Sequence, residues 1–229
     1  MCRTLNKVFE TGLLILFVLI SLIGAYAMYD SFMVYTHATD KNLLKFKPKK
    51  EETIKSAAGE LSEDLAAWLT VDGTPIDFPV MQGRNNSEYL NKDPYGRYSL
   101  SGSVFLDSRN SRDFSDPYSL IYGHHMDGGA MFGALDSYLK KGYLENHRTG
   151  ALVTQDGMHE IEFFAVTDAP GTEPAVFDPT LEEGPAGYVK EHAMYYTDGI
   201  LKEGDRIIAL STCKYPDAVD RTIVFGVLK

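Results

Sequence analysis

The chain has 229 residues, 44% hydrophobic and 24% charged, which suits one globular domain with an attached anchor and excludes a repeat or low-complexity protein. Its formal net charge is -10, and residues 56–229 alone hold 27 acidic against 14 basic side chains, a net of -13. A body of that sign repels polyanions, which argues against nucleic acid as a partner.

Residues 11–29 (TGLLILFVLISLIGAYAMY) carry no charge and are just long enough to cross a ~30 Å hydrocarbon core as a helix. Arg3 and Lys7 precede them, so the positive-inside rule puts residues 1–10 in the cytoplasm and the bulk of the chain outside. Ala25-Tyr26-Ala27 also fits a signal-peptidase site; anchor or signal, the domain is exported. Residues 30–56 read as a tether. The stretch 37–55 is Lys-rich with a net charge of +3 and is expected to be a solvated linker. The exported domain then runs over 57–229.

Within that domain, Leu61, Leu65, Trp68 and Leu69 recur at i, i+4, i+7 and i+8, the spacing of an amphipathic helix over 57–69. Residues 75–81 read as extended with edge prolines, and 85–90 as a short helical turn. Short β-prone runs follow at 102–106 and 118–122, then a helix at 131–141. Strands at 151–154 and 160–166 flank Asp156-Gly157, a hairpin turn. A helix at 185–196 and strands at 205–211 and 222–228 finish the chain. Many short strands with few helices predict a mainly β fold, a barrel or sandwich with helical insertions.

Two cysteines are present, Cys2 and Cys213. An intervening membrane span keeps them apart, leaving Cys213 a lone thiol in an oxidising compartment. It ends the run Ala209-Leu210-Ser211-Thr212-Cys213, and a second strand-end motif is Leu120-Ile121-Tyr122-Gly123-His124-His125-Met126. Arg221 opens the last strand, where a loop between neighbouring strands returns it beside Cys213. The residue types suit acyl transfer. A thiol with a free pKa near 8.5 needs a partner to become a thiolate at neutral pH, and an imidazole can take that proton and later protonate a leaving amine. A guanidinium can hold a carbonyl or a developing oxyanion. Alternation along a strand lets only one of His124 and His125 face the thiol. His124, His125 and Asp127 lack a fourth ligand nearby and the i, i+4 spacing of a zincin, so a metal site has little support.

YGHHM followed by Met131-Phe132-Gly133, then LSTC, then Arg221, resembles the sortase family, class B in particular. Ala67-Trp68-Leu69, residues 76–80 (IDFPV) and residues 102–110 (GSVFLDSRN) extend the likeness over about 60–229. The resemblance implies an eight-stranded sortase β-barrel with an N-terminal helix and a helical insertion before the penultimate strand, preceded by one transmembrane helix. It implies a cysteine transpeptidase with Cys213 as nucleophile, His124 as acid/base and Arg221 beside them. Ser211 and Thr212 would line the substrate groove, and no metal or organic cofactor is needed. Implied partners are surface proteins bearing a C-terminal sorting motif of NPxTx or xPxTG type and a peptidoglycan-precursor amine, at the outer face of a Gram-positive membrane. Class B relatives often carry an acidic residue after the cysteine, where this chain has Lys214. Rival readings are another exported cysteine peptidase or amidase, whose cysteine usually precedes its histidine, and an inactive membrane-anchored binding module.

Overall fold

A computed structural model describes residues 2–38, 40–49, 52–56, 61–213 and 219–229, without the side chains of 2–5, 37, 56 and 213. The chain divides into two compact units, Met1–His37 and Ala38–Lys229. The first is helical and belongs to α1 (Cys2–Ala38). This helix is long and apolar enough to cross a membrane, by length and composition, and a signal sequence passes the same test.

The second unit is built on nine strands: β1 (Leu65–Val71), β2 (Asp77–Met81), β3 (Val104–Leu106), β4 (Tyr118–Tyr122), β5 (Thr149–Val153), β6 (Met158–Pro170), β7 (Tyr195–Tyr196), β8 (Arg206–Cys213) and β9 (Asp220–Leu228). Short helices α2 (Tyr143–Asn146), α3 (Pro174–Phe177) and α4 (Ala186–His192) join them. Eight strands pair in the order β5-β1-β2-β3-β4-β8-β9-β6, and β5 pairs with β6 to close the barrel. The two-residue β7 adds to the far half of β6. Closure removes the exposed edges that an open sheet of this size would leave.

The barrel strands read as nearly continuous apolar runs because both of their faces are covered. Ile121, Ile208, Leu210 and Val224 point into the barrel core with Leu69, Val80 and Phe163. Their neighbours Leu120, Ile207, Ala209, Ile223 and Phe225 belong to a second cluster outside the barrel, which Val176 of α3 and Val189 of α4 cover. The expected helical insertion before the penultimate strand is therefore the lid on this outer face. A third cluster, with Leu65, Trp68, Met81 and Phe105, is covered by Leu43 and Ile54.

That third cluster overturns two expectations. Residues 65–71 form strand β1, not the end of a helix. The apolar residues of a strand buried on both faces fall at helical spacings by coincidence. Residues 57–60 lie outside the described residues. Nor is the Lys-rich stretch a solvated linker. A 3-10 helix over Lys41–Phe46 lies against the barrel with Leu43 buried. Lys47 Nζ meets Asp77 at 2.8 Å, and the Ile54 N–H donates to the Thr154 carbonyl at 3.2 Å. The outward-facing side of Trp68 and Met81 needs an apolar cover, and this segment supplies it.

Candidate active site

Strand pairing assembles the site. β4 and β8 run parallel with Tyr122 opposite Ser211, and the Gly123 N–H donates to the Ser211 carbonyl at 3.1 Å. Carried two residues further, that register brings His124 level with Cys213. β8 and β9 run antiparallel with Cys213 opposite Arg221. The backbones of all three expected residues thus meet at one end of the barrel, although 89 positions separate His124 from Cys213 in the sequence. The side chain of Cys213 lies outside the described residues, as does Lys214.

His124, Arg221, Ser211 and Thr212 line one cleft of about 510 Å³. Its remaining walls include Tyr122 beside His124 and, from elements remote in sequence, Asn86, Leu90, Phe105, Gly171 and Phe177. Ring nitrogen Nε2 of His124 donates to the Leu90 carbonyl at 2.8 Å. A carbonyl can only accept, so the neutral ring keeps Nδ1 free of hydrogen as its basic nitrogen.

The loop that carries His124 is held from several sides. A β-carbon at Gly123 would stand 2.5 Å from the Phe132 ring, so only glycine lets that ring lie against the backbone here. The Phe132 N–H donates to the His124 carbonyl at 3.2 Å. His125 and Met131 form an antiparallel bridge, with Met131 at φ +48, a conformation that costs a non-glycine residue about 1–3 kcal/mol. Phe132–Leu139 is a 3-10 helix, and its Asp136 Oδ2 lies 2.8 Å from Nε2 of His125. His125 therefore turns away from the cleft and anchors the loop, while His124 lines it.

Ser211 and Thr212 are 1% and 2% exposed. Neither hydroxyl has a hydrogen-bond partner among the described residues. Both residues line the cleft, but as successive positions of β8 their side chains face opposite sides of the strand, and a buried hydroxyl without a partner is costly. Opposite them, the Tyr122 hydroxyl donates to Asp107 Oδ2 at 3.0 Å. Burial, then the adjacent Asp107 charge, pushes the Tyr122 phenol above its usual range, so it stays a neutral donor. At the far rim, a β-carbon on Gly171 would lie 3.3 Å from Arg221 Nε, so the chain passes close over the guanidinium.

Sequence reasoning missed most of the cleft walls. Tyr122 sits within the YGHHM motif and was the most accessible of them. Asn86, Leu90 and Phe177 carry no local signal, because they reach the site only through the barrel's topology.

A closed eight-stranded barrel whose paired strand ends gather a cysteine, a histidine and an arginine defines the sortase class of fold. The family model described as the sortase domain matches residues 69–229. Sortase B of Listeria monocytogenes is 36% identical over 158 residues, which is 67% of this chain and 64% of that protein; the match thus spans a little under two thirds of its length. Among solved structures, a Streptococcus pyogenes class B sortase involved in pilus biogenesis superposes with a TM-score of 0.68 at 39% identity, covering 74% of this chain and 94% of that one. Staphylococcus aureus sortase B, solved as a substrate complex, gives a TM-score of 0.67 at 26% identity over 74% and 81% of the two chains. The chain belongs to the sortase family, and within it to class B.

Proposed function

We propose that this protein is a membrane-anchored cysteine transpeptidase that joins surface proteins to the cell wall. The Cys213 thiolate attacks the scissile carbonyl of a C-terminal sorting motif, of NPxTx or xPxTG type. Arg221 stabilises the negative charge that develops on the carbonyl oxygen. The C–N bond breaks, His124 gives its proton to the leaving amine, and an acyl thioester remains on Cys213. A peptidoglycan-precursor amine then attacks the thioester, loses a proton to His124, and forms a new amide as the thiolate departs. Ser211 and Thr212 hold the peptide backbone in the groove. Anchored by α1 with residues 1–10 in the cytoplasm, the barrel works at the outer membrane face.

The observation that carries this reading is the pairing of β4, β8 and β9, with Tyr122 opposite Ser211 and Cys213 opposite Arg221, beside a peptide-sized cleft lined by His124 and Arg221. Membership of a class whose Staphylococcus aureus member was solved with substrate supports it further. To test it, the full chain in detergent is incubated with NPxTx and xPxTG peptide libraries and a glycine or cell-wall peptide amine, then analysed by mass spectrometry. A thioester on the cysteine-bearing peptide, cleavage at one motif, and loss of both in Cys213→Ala are expected. Cleavage of muropeptides without any sorting peptide would overturn the transpeptidase reading in favour of an amidase.

A further inference from the structure

Residues 102–110 (GSVFLDSRN) belong to the sequence likeness, yet none of them enters the chemistry above. Asp107 is fully buried, and its carboxylate accepts five hydrogen bonds. Arg109 supplies three, from its backbone N–H at 3.0 Å, Nε at 2.9 Å and Nη2 at 2.8 Å. Asn86 Nδ2 donates at 2.8 Å and the Tyr122 hydroxyl at 3.0 Å. Burial alone would push this carboxyl up; the Arg109 fork and the Asn86 amide outweigh it and hold it below the usual carboxylate range.

Arg109 does not stop there. Its Nη2 also donates to the Phe177 carbonyl at 2.6 Å, and Nη1 to Asp178 Oδ1 at 3.3 Å. Phe177 ends α3 in the long connection between β6 and β7. Asn86, Tyr122 and Phe177 all line the cleft. One planar guanidinium therefore ties the side of the cleft made by Tyr122 of β4 and the turn at Asn86 to the side made by the β6–β7 connection.

We propose that Arg109, acting through Asp107, is a positioning residue that fixes the separation of Tyr122 and Phe177 and so sets which extended peptide the cleft accepts. The substrate class rests on the transpeptidase reading above; the mechanical tie does not. A lysine keeps the positive charge but offers a point donor in place of a rigid fork, so it cannot serve Asp107 and the Phe177 carbonyl together. Asp178→Ala is the gentler companion: it leaves the buried Asp107–Arg109 pair intact and removes one Arg109 arm to the β6–β7 connection, together with the turn bonds that Asp178 accepts from Thr180.

Full-length wild type, Arg109→Lys and Asp178→Ala are compared in detergent by three readouts. With the best NPxTx or xPxTG peptide as probe, Arg109→Lys is expected to raise KM about tenfold with kcat within about threefold, the loss of a charge-assisted hydrogen bond. Asp178→Ala gives a smaller rise of the same kind. The rate of Cys213 modification by a small methanethiosulfonate stays at the wild-type value in both. Amide hydrogen exchange of residues 175–178 quickens in both variants while that of β8 and β9 does not. A folded Arg109→Lys with unchanged KM, a fall in kcat alone, or exchange that quickens evenly through the barrel would overturn the proposal. Should the wild type form no thioester with any peptide, the transpeptidase reading fails by itself, and the exchange over 175–178 still decides the tie: unchanged rates sink it.

Discussion

Thr212→Val separates the function of a cleft hydroxyl from its structural cost, because the two effects have opposite signs. The other threonines near this end of the barrel are satisfied: Thr222, directly across from Thr212, donates to Asp168 Oδ1 at 3.2 Å, and Thr167 donates to the His192 carbonyl at 3.0 Å. Thr212 Oγ1 is buried and has no such partner among the described residues. A buried hydroxyl left unsatisfied costs ~1–3 kcal/mol, and valine has nearly the same shape without that group. The variant should therefore be about 1 kcal/mol more stable, a rise in Tm of about 2–4 °C for a unit of this size. If the hydroxyl bonds the peptide backbone, its loss removes about 0.5–1.5 kcal/mol of transition-state binding, a fall in kcat/KM of about two- to twelvefold. Urea denaturation with thermal scans, beside kinetics on a sorting peptide, measures both. Ser211→Ala should follow the same pattern. Stability and kcat/KM falling together would show a structural hydroxyl; a more stable variant with unchanged kinetics would show that substrate never reaches it.

Two further outcomes follow from the packing and the charges. Leu43 is 7% exposed in the third core cluster and Leu44, its neighbour, is 44% exposed. Leu43→Ala should cost about 2 kcal/mol and Leu44→Ala under about 0.5 kcal/mol, read as urea midpoints on residues 38–229; equal effects would mean that the segment does not dock. Asp107 and Asp116 are both pushed up by burial, but hydrogen bonds from Arg109 to Asp107, and from Asn110 and Ser111 to Asp116, hold both carboxyls below the usual range. Their native pKa thus lies below the unfolded value of about 3.9, so the unfolded chain binds protons first as the pH falls. Their stabilisation is complete above about pH 5 and is lost as the pH drops through the native pKa. Urea midpoints should decline between pH 5 and pH 3, and a midpoint that rises on acidification would contradict the hydrogen-bond network.

The strands were legible wherever turn residues bounded a short apolar run, as at 118–122, which the structure reproduces residue for residue. The pattern failed at β1, where Leu65, Trp68 and Leu69 keep helical spacing only because every position but Thr70 is buried. Period carries information only when one face is wet. The tether was misread for a related reason: six lysines signal solvation, yet Leu43 and Ile54 between them cover the face of Trp68, and composition averaged over 19 residues hides two anchors. The alternation argument that only one histidine of the pair faces the cleft agrees with the structure, in which His125 turns to Asp136.

The candidate site itself divides the same way. The placement of Cys213 opposite Arg221, and of His124 and Arg221 on one cleft, was legible because each sits beside a strand end with a distinctive neighbour. Asn86 and Phe177 were not, because 91 positions separate them and nothing in either local sequence announces a shared wall. What joins them is a buried carboxylate and one guanidinium, and a sequence shows an Asp-x-Arg there without showing whom it holds. On the proposed reading, the chemistry would lie in residues fixed by hydrogen-bonded strands, whose register tolerates no slip. On the same reading, the choice of peptide would lie in walls borrowed from long connections, which diverge more freely than hydrogen-bonded strand ends. Selectivity in this barrel should therefore move with substitutions around Phe177 and Arg109, and the rate of the chemical step with those at the ends of β4, β8 and β9.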